Sequence, residues 1–474
     1  MPQKHAVELT QAQTVDVVVV GAGPAGENVA GRVVDGGLTA VIVERELVGG
    51  ECSYWGCIPS KTLIRPGDVL AAARRVPGAA SAVTGQVDVA AAFDRRDYMT
   101  GGWDDAGALP WLESKGIRLV RGTARLVGER TVDVTAADGS VHRLRANHAV
   151  VLATGTVAAM PPIEGLADAH PWDNRAVTST KEVPRRLLVL GGGAIGVEMA
   201  QAFRRLGAAE VTVLEGSERL LPREEPFVGD ELRAAFEAEG ITVVTGARLV
   251  RVARNGSDGP VTATLEDGLT LHADEILVAV GRHAATADLG LETVGLQPGH
   301  YVEVDHSLRA VGVPGGWLYA VGDCNGRALL THVGKYQARV AGDVILGRNA
   351  RDEVSDAAVA RVTFTDPQVC AVGLTEAQAR DRGIAVRTVT VGTGDVAGAS
   401  VLGIGIAGTS HLVVDETRGL IVGATFTGPD VQELLHSATV AVVGRVPLER
   451  LWHAVPSFPT LSEVWLRLLE AYGL

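Results

Sequence analysis

Cysteine is scarce in this chain, which has four cysteines in 474 residues. So few cysteines cannot form the disulfide framework of a small secreted protein, and a close pair in a reducing compartment indicates catalysis or metal binding. Cys52 and Cys57 are such a pair. The chain also lacks a long apolar run, and its amino terminus is polar, so we expect a soluble, cytoplasmic protein without a membrane partner.

Runs of basic residues are absent as well. The 43 basic and 56 acidic residues give a formal net charge of −13, so we expect no nucleic-acid partner. Hydrophobic residues make up 46% and charged residues 21% of the chain, which is the composition of a folded globular protein. Its length predicts several domains of roughly 100 to 200 residues each.

Glycine, in contrast, is abundant, with 58 residues. Gly21, Gly23 and Gly26 form the pattern G-x-G-x-x-G directly after the apolar strand VDVVVV. Glu44 ends the next strand, at the spacing of roughly 20 residues that a dinucleotide site requires. Such glycines let a pyrophosphate approach a helix amino terminus, and the acid can accept hydrogen bonds from ribose hydroxyls. The segment therefore predicts a βαβ unit that binds a dinucleotide.

A second unit of the same design follows in RRLLVLGGGAIGVEMAQAFRRLG and AEVTVLEG. Its glycines are Gly191, Gly193 and Gly196, and its second strand ends in Glu215. This internal repeat implies two dinucleotides. A carboxylate at Glu215 would bind the 2′-hydroxyl of NAD and repel the 2′-phosphate of NADP, so NADH is favoured. Arg219 is close enough in sequence to keep NADPH as the alternative.

The remaining segments predict further strands and helices. We expect helix from Val87 to about Gly116, and an antiparallel meander from Ile117 to Leu152 with a turn at Asp138-Gly139. The runs HAVVLATG, EILVAVGR and WLYAVGD predict strands. After Gly347 strand-like and helix-like runs alternate, which indicates an α+β domain.

The two neighbouring cysteines lie in the segment GGECSYWGCIPSKTL. A turn at a helix start could bring the sulfurs of Cys52 and Cys57 within bonding reach, and a helix amino terminus stabilises a thiolate. The alternatives are two buried cysteines or half of a zinc site. Zinc needs more ligands, and Cys324 and Cys370 are isolated from any Cys or His pair of useful spacing.

The segment GGECSYWGCIPSK closely resembles the active-site segment of the class I pyridine nucleotide-disulfide oxidoreductases. This is the flavoprotein family of dihydrolipoamide dehydrogenase, glutathione reductase and mercuric reductase. The motifs ATG, GGGAIGVEMA, VGR, AVGD and FTDPQVCAVGLTE also stand in family order, so the resemblance covers nearly the whole chain. It implies an α/β fold with two Rossmann-like dinucleotide-binding domains, for FAD and NAD(P), and a C-terminal α+β dimerisation domain.

The resemblance also implies the order of the domains. The FAD-binding domain would comprise residues 1–155 and 282–350, the NAD(P)-binding domain residues 156–281, and the dimerisation domain residues 351–474. The implied cofactors are FAD and NADH or NADPH. A homodimer is implied because the family's site joins the cysteines of one subunit to the carboxy-terminal segment of the other.

The resemblance implies individual roles as well. Cys57 would be the charge-transfer thiolate against the flavin, Cys52 the interchange thiol that attacks the substrate, and Lys61 and Glu198 an ion pair near the flavin's reactive nitrogen. The FAD-adenosine site would be Gly21, Gly23, Gly26 and Glu44, with Asp323 at the ribityl and phosphate region, and the nicotinamide dinucleotide site Gly191, Gly193, Gly196 and Glu215. The other implied cofactor-binding residues are Gly50, Lys61, Ala153, Thr154, Gly155, Gly281, Arg282 and Gly322.

The implied reaction has three stages. A hydride passes from NAD(P)H to FAD, two electrons then pass to the Cys52–Cys57 disulfide, and the dithiol finally meets a small-molecule substrate. Ala194 occupies a position where several relatives carry a bulky residue that shields the flavin, so we expect a more open nicotinamide pocket.

The resemblance fails in the carboxy-terminal segment PSFPTLSE. Disulfide-reducing relatives carry His-Pro-Thr-x-Ser-Glu here, and their His serves as the acid–base partner of the interchange thiol. Pro459, Thr460, Ser462 and Glu463 match this motif, but Phe458 replaces the His. A phenyl ring cannot transfer protons, so ordinary reduction of a small disulfide is in doubt, and the role of Glu463 is open.

Other residues near these motifs allow two interpretations. His453 could replace the missing His or be an ordinary solvated or packed histidine, and His436 is expected to be structural. Tyr54 and Trp55 are bulkier than the residues usual between the cysteines, and with Phe458 they could make the substrate side aromatic, or could simply pack in the core. The coenzyme M-linked ketone carboxylases of the family also carry Phe at the His position, but here Glu463 is retained.

We therefore predict an enzyme that passes electrons from NAD(P)H through flavin to the Cys52–Cys57 disulfide and on to an unidentified substrate, with atypical proton handling. The alternatives are direct flavin-mediated reduction of quinones or dyes, attack by Cys52 on a thioether substrate, and a non-catalytic flavoprotein subunit of a larger assembly.

Overall fold

The computed structural model describes residues 13–257, 259–355 and 357–474. These residues form two compact units. The first unit contains the described residues up to Pro59, Asp97–Ala158 and residues 282–355. The second contains Ser60–Arg96, Ala159–Gly281 and Ala357–Leu474. The chain therefore passes between the units several times.

The strands are, in chain order, β1 (Gln13–Val20), β2 (Ala40–Glu44), β3 (Arg118–Arg121), β4 (Thr123–Gly128), β5 (Thr131–Thr135), β6 (Val141–Leu152), β7 (Thr156–Ala158), β8 (Arg186–Leu190), β9 (Glu210–Glu215), β10 (Ile241–Thr245), β11 (Leu249–Arg254), β12 (Val261–Leu265), β13 (Thr270–Ala273), β14 (Glu275–Val278), β15 (Arg282–Ala284), β16 (Leu318–Ala320), β17 (Ala360–Thr363), β18 (Gln368–Gly373), β19 (Val386–Gly392), β20 (Thr409–Asp415) and β21 (Leu420–Gly428).

The α-helices are α1 (Pro24–Asp35), α2 (Gly50–Tyr54), α3 (Cys57–Arg75), α4 (Pro77–Ala80), α5 (Val89–Met99), α6 (Leu109–Ser114), α7 (Asn174–Ser179), α8 (Ala194–Arg205), α9 (Pro226–Ala238), α10 (Thr331–Ile345), α11 (Glu376–Asp381), α12 (Ala397–Leu402), α13 (Val431–Val443), α14 (Leu448–Leu451) and α15 (Val464–Tyr472). Short 3₁₀ helices span Leu291–Val294, Gly322–Asn325 and Leu461–Glu463.

The first unit is built on a seven-stranded sheet in the order β3-β2-β1-β6-β5-β4, with β16 also paired to β6. The strands β3, β2, β1, β6 and β16 run parallel, and the valines of β1 are buried from Val17 to Val20. Near-continuous apolar runs of this kind are typical of parallel strands covered on both faces. The carboxyl ends of β1 and β6 therefore meet at one edge, where the first glycine loop begins.

The second unit contains a parallel sheet in the order β10-β9-β8-β14 and an antiparallel sheet β11-β12-β13. Its last part is a five-stranded antiparallel sheet, β17-β18-β21-β20-β19, which packs against α13 and α15. The two Rossmann-like sheets and the C-terminal α+β layer confirm the predicted fold class.

Two of three predicted elements differ from the structure. The helix expected from Val87 to Gly116 is two helices, α5 and α6, because Gly101, Gly102 and Trp103 take φ values of 60°, 63° and 59° and turn the chain left-handed. The meander expected from Ile117 comprises only β4, β5 and β6, since β3 joins the parallel strands. The strand expected at HAVVLATG is present as the second half of β6, which pairs antiparallel with β5 over residues 141–145 and parallel with β1 over residues 144–152.

Among the described residues, none of the helices has both the length and the apolar character that crossing a membrane requires.

Candidate active site

The first glycine loop connects β1 to α1 and fits closely against the end of β6. A Cβ on Gly21 would lie 2.5 Å from the carbonyl oxygen of Ala153, and one on Gly26 would lie 1.9 Å from that of Gly21. Only glycine fits at these two positions. A Cβ on Gly23 would meet nothing within 4 Å, so the outer face of the loop is open beside the amino terminus of α1. This open face at a helix amino terminus fits a pyrophosphate.

Glu44 lies at the end of β2 and holds the glycine loop. Its Oε2 accepts a hydrogen bond from the backbone N–H of Ala22 at 2.7 Å, and its Oε1 accepts one from that of Glu46 at 2.7 Å. Each carboxylate oxygen has a second lone pair. Glu44 therefore orders the loop and retains acceptor capacity for ribose hydroxyls.

Hydrogen bonds connect the side chains of Asp323, which follows β16, Thr156 and Arg282. The carboxylate of Asp323 accepts from the hydroxyl of Thr156 at 3.0 Å, and Thr156 accepts from Nε of Arg282 at 2.7 Å. Burial raises the pKa of Asp323 above its usual range, while Thr156 and Arg282 oppose that rise. Arg282 also reaches Glu51 at 3.5 Å. These groups hold Asp323 in a defined orientation.

The other predicted cofactor residues of this unit lie near the same loops. A Cβ on Gly50 would lie only 2.8 Å from Cα of Gly23, so the start of α2 packs on the first glycine loop. Ala153, Thr154 and Gly155 follow β6, and a Cβ on Gly155 would meet nothing within 4 Å. Gly322 begins the 3₁₀ helix that contains Asp323. The loops after β1, β6 and β16 thus converge at one edge, as an FAD site requires.

The two cysteines lie together at the junction of α2 and α3. Cys52 is in α2 and Cys57 is the first residue of α3, with a side-chain hydrogen bond between them. The Oγ1 of Thr331 lies 3.4 Å from Sγ of Cys57. The bond to Cys57 and burial raise the pKa of Cys52, so Cys52 keeps the proton when the pair carries one thiolate.

The aromatic residues between the cysteines have different surroundings. Tyr54 is buried, and its hydroxyl donates to the carbonyl oxygen of Val48 at 3.1 Å. Burial raises the pKa of Tyr54 to about 12. Trp55 is half-buried, with its ring centroid 5.7 Å from that of Tyr54. Tyr54 therefore packs in the core, and only Trp55 keeps an accessible aromatic face.

Lys61 and Glu198 form an ion pair in the second unit. The Nζ of Lys61 lies 2.7 Å from Oε2 of Glu198, which is 4% exposed. The other oxygen of Glu198 accepts from the backbone N–H of Phe364 at 2.9 Å, and Nζ of Lys61 lies 4.8 Å from the Phe364 ring centroid. The Phe364 backbone therefore fixes Glu198, and the Phe364 ring contacts Lys61.

The second glycine loop, between β8 and α8, repeats the first in its contacts. A Cβ on Gly191 would lie 2.5 Å from the carbonyl oxygen of Ala279, and one on Gly196 would lie 1.9 Å from that of Gly191. A Cβ on Gly193 would meet nothing within 4 Å, and Ala194 is exposed at the start of α8. This loop also fits a dinucleotide.

Glu215 holds the second loop as Glu44 holds the first. It accepts from the backbone N–H groups of Gly192 and Ser217, both at 2.6 Å. Arg219 donates from Nη2 to the carbonyl oxygen of Pro222 at 3.2 Å. Gly281 has a φ of +135° and ends this part of the unit, while Arg282 begins β15 in the first unit.

The carboxy-terminal segment presents Phe458 to the surface, with 76% of it exposed. Glu463 is buried, and its Oε2 accepts from the backbone N–H of Gly398 at 3.1 Å, at the start of α12. A Cβ on Gly398 would lie 2.0 Å from the carbonyl carbon of Thr460, so the two segments are closely packed. Within the described residues Glu463 thus binds backbone. His453 and His436 are both exposed.

The other two cysteines are buried, Cys324 in the 3₁₀ helix Gly322–Asn325 and Cys370 in β18. Burial raises the pKa of Cys324 to about 12 and that of Cys370 as well. Both thiols are therefore protonated at neutral pH. In the part of the chain that the structure describes, no three His, Cys, Asp or Glu side chains are placed to hold a metal ion.

Two family models match the chain. The model described as pyridine nucleotide-disulphide oxidoreductase matches residues 15–338, and the one for the dimerisation domain of the same family matches residues 337–468. The chain belongs to this family.

Individual relatives agree with this assignment. The chain is 35% identical to dihydrolipoyl dehydrogenase of Chlorobaculum tepidum, with 96% of each sequence covered. It is 28% identical to mercuric reductase of Staphylococcus aureus, with 98% of this chain and 83% of the relative covered. It is also similar to the crystal structure of LpdA from Mycobacterium tuberculosis, with a TM-score of 0.85, 26% identity, and 97% and 100% of the two chains covered.

Membership of the family shows that the chain is a flavoprotein pyridine nucleotide-disulfide oxidoreductase. FAD and a pyridine nucleotide are the characteristic cofactors of the family, and a dimerisation domain is part of its fold. The predictions of family, fold class and enzyme type are thereby confirmed.

Sequence reasoning missed three residues at these sites. Thr331 contacts the cysteine pair, Trp103 donates from its indole N–H to the carbonyl oxygen of Tyr54 at 3.0 Å, and Phe364 contacts Glu198 and Lys61. Phe364 begins the motif FTDPQVCAVGLTE, so the sequence could have indicated that Phe364 belongs to the site. Thr331 and Trp103 belong to no recognised motif, so only the fold reveals them.

Proposed function

We propose that the chain is a homodimeric, FAD-dependent NADH oxidoreductase that passes electrons to the Cys52–Cys57 pair and from Cys52 to a small-molecule acceptor. The hydrogen-bonded contact between the two cysteine side chains carries this proposal. FAD, when bound, supplies two-electron exchange between a nicotinamide and a thiol pair.

The roles of the two sulfurs follow from their surroundings. Reduction of the disulfide breaks the S–S bond. One hydride equivalent from NADH supplies two electrons and one proton, so the products are one thiol and one thiolate. Cys57 is at the amino terminus of α3, where negative charge is favoured, so Cys57 holds the thiolate. Cys52 holds the proton and is the thiol that meets the acceptor.

The acceptor must be reduced without an imidazole donor in the family's usual position. Phe458 cannot give a proton to a departing thiolate, and its exposed ring adds apolar surface. We therefore propose an apolar disulfide as the acceptor: its S–S bond breaks as Cys52 attacks, and the leaving sulfur takes its proton from solvent and not from an imidazole.

A thiophilic metal ion is the second candidate acceptor, because its reduction needs no proton from the protein. The same observation favours it, namely a phenyl ring at Phe458 in place of a proton donor. Relatives that are 28% and 29% identical to this chain are called mercuric reductase, so Hg²⁺ is the probe for this candidate.

We propose NADH as the reductant. Both oxygens of Glu215 are fixed by backbone N–H groups at the end of β9, so the carboxylate has one orientation. A fixed negative charge there accepts from a ribose 2′-hydroxyl and repels a 2′-phosphate. The Arg219 guanidinium is directed to the carbonyl of Pro222, which opposes its use as a phosphate ligand.

We propose a homodimer formed through the part of the chain that the dimerisation model matches. That part carries several exposed apolar side chains that a partner subunit would cover. They are Val401, Ile404, Val440, Val443, Val455 and Phe458. Exposed apolar clusters of this kind mark interaction surfaces.

The experiment compares the native enzyme with Cys52→Ala under anaerobic conditions, with NADH and three acceptors: lipoamide, benzoquinone and Hg²⁺. We expect the variant to lose reduction of lipoamide and Hg²⁺ by at least about 100-fold and to keep reduction of benzoquinone. Cys370→Ala removes a buried thiol on β18 and is the matched control, which should retain all activities.

The outcomes separate the competing functions. Equal lipoamide or Hg²⁺ reduction by native enzyme and Cys52→Ala would contradict transfer through the pair. Benzoquinone reduction alone, in both proteins, would identify direct transfer from flavin. A covalent adduct of Cys52 with a thioether substrate, detected by mass spectrometry, would instead indicate the chemistry of the ketone carboxylases.

A further inference from the structure

Thr331 contacts both sulfurs of the cysteine pair. Its Oγ1 lies 3.4 Å from Sγ of Cys57, and its hydroxyl also hydrogen-bonds to the side chain of Cys52. That bond lowers the pKa of Cys52, against the dominant raising effects of the Cys57 side chain and of burial. A single hydroxyl is therefore within reach of whichever sulfur carries the negative charge.

The backbone around Thr331 favours a negative charge at the same place. Thr331 is the first residue of the 15-residue helix α10, and Cys57 is the first residue of the 19-residue helix α3. The backbone N–H of Cys57 also hydrogen-bonds to Cys52. Two helix amino termini thus adjoin the pair, and each carries a partial positive charge.

The usual partner of the interchange thiol is replaced in this chain. Phe458 stands where the family motif has an imidazole, and Glu463 binds the backbone N–H of Gly398. A phenyl ring offers no N–H or O–H to a thiolate. Stabilisation of the reduced pair must therefore come from donors in its own surroundings.

We propose that the hydroxyl of Thr331 is the hydrogen-bond donor that stabilises the thiolate of the reduced pair. The inference rests on the proposed function of Cys52 and Cys57 as a redox pair. When the S–S bond breaks, one sulfur takes up the proton and the other keeps the electron pair as thiolate. The O–H of Thr331 donates to that thiolate and is not itself consumed.

The test measures thiolate formation directly. The FAD-loaded native enzyme, Thr331→Val and Thr331→Ser are reduced anaerobically with excess dithiothreitol and alkylated with iodoacetamide between pH 5 and 10. The rate at each cysteine is then read by mass spectrometry of its peptide. We expect the alkylation midpoint of the pair in Thr331→Val to lie higher by about one pH unit or more, because a hydrogen bond to a charged group is lost.

Two further variants make the test specific. Thr331→Ser keeps the hydroxyl and should have nearly the native midpoint. Thr293→Val is the control for exchange of a hydroxyl by a methyl group in the same unit, because its hydroxyl binds only the carbonyl of Gly290 among the described contacts, and its midpoint should be native. Bound FAD per subunit is measured for every variant, and Thr331→Ala replaces Thr331→Val if the latter does not retain FAD.

Three results would overturn the inference: a native midpoint in Thr331→Val, an equal shift in Thr331→Ser, or a native enzyme whose pair has the midpoint of an ordinary thiol. Since dithiothreitol reduces the pair directly, the result does not depend on electron transfer from NADH. A shift in Thr331→Val together with unchanged lipoamide reduction in Cys52→Ala would therefore support the donor and reject the proposed function.

Discussion

The indole Nε1 of Trp103 donates a hydrogen bond to the backbone carbonyl of Tyr54 at 3.0 Å. Tyr54 is the last residue of α2, the five-residue helix that contains Cys52. Trp103 itself has a φ of 59°, in the left-handed region that is costly for a bulky residue. The fold thus maintains an unfavourable backbone conformation that directs an indole to the helix that contains Cys52.

We predict that Trp103→Phe loosens α2 and slows transfer from Cys52. The change removes the indole donor and leaves the carbonyl of Tyr54 with one partner fewer, at a cost of about 1–3 kcal/mol. We expect lipoamide or Hg²⁺ reduction to fall by about 10-fold while benzoquinone reduction is retained, measured by steady-state kinetics.

The control for this prediction is Trp111→Phe, because Trp111 is an exposed tryptophan of the same unit. It should leave both reactions unchanged. A uniform loss of all activities in Trp103→Phe would show that Trp103 supports the fold in general and has no specific effect on α2.

The Lys61–Glu198 pair should contribute strongly to the stability of the second unit. Lys61→Met leaves the carboxylate of Glu198, which is 4% exposed, without its cation. We expect the free energy of unfolding to fall by about 2 kcal/mol, measured by urea denaturation with FAD bound. Lys115→Met breaks a surface pair with Asp35 at 2.8 Å, and should cost less than about 1 kcal/mol. Equal losses of unfolding free energy in Lys61→Met and Lys115→Met would contradict the buried character of the Lys61–Glu198 pair.

Glu27 should make stability depend on pH near neutrality. Burial raises the pKa of Glu27 to about 7, against the opposing charge of Lys335. Because the folded pKa lies above the unfolded value, the folded state binds more protons between about pH 4.5 and 7, and stability falls as pH rises through that window. Glu27→Gln should therefore be more stable than the native protein at pH 8, by about 1–2 kcal/mol, and not at pH 4.5.

Thermal unfolding of native protein and Glu27→Gln across this pH range measures the effect. Glu129→Gln changes an exposed carboxylate of the same unit and serves as the control. A difference between Glu27→Gln and native protein that is the same at pH 4.5 and 8 would rule out titration of Glu27 as the cause.

The nucleotide preference should reside in the charge of Glu215. Glu215→Gln keeps the size of the side chain and removes the charge, so repulsion of a 2′-phosphate is lost. We expect the ratio of kcat/KM for NADH to that for NADPH to fall by about 10-fold or more, which corresponds to about 1.4 kcal/mol. Glu44→Gln, the equivalent change at the first glycine loop, should leave this ratio unchanged. A native enzyme that prefers NADPH would refute the proposed choice.

The homodimer should depend on the exposed face of α13. Val440 and Val443 are 53% and 52% exposed in the single chain, and Val440→Lys would place a charge in the proposed interface. Light scattering should show a dimer for the native protein and a monomer for Val440→Lys. Val141→Lys is the matched control, because Val141 is 59% exposed on β6 of the first unit and should not affect the dimer.

The fold could be predicted from the sequence wherever the signal is local. Each glycine loop, its preceding apolar strand and its acid occur within about 30 residues, and the backbone contacts at Gly21 and Gly191 permit no side chain. The helix expected from Val87 to Gly116 could not be placed correctly, because its apolar spacing does not show that Trp103 adopts a left-handed conformation.

The sequence by itself predicted two dinucleotide sites and a redox cysteine pair, and it places Phe458 where the motif that it resembles has a His. Those properties depend on residue type and short spacing. Only the tertiary structure decided what surrounds the pair, because Thr331 is 274 positions from Cys57, and Trp103 is 49 positions from Tyr54. Strand order and helix packing bring such residues together, and no local pattern encodes those contacts.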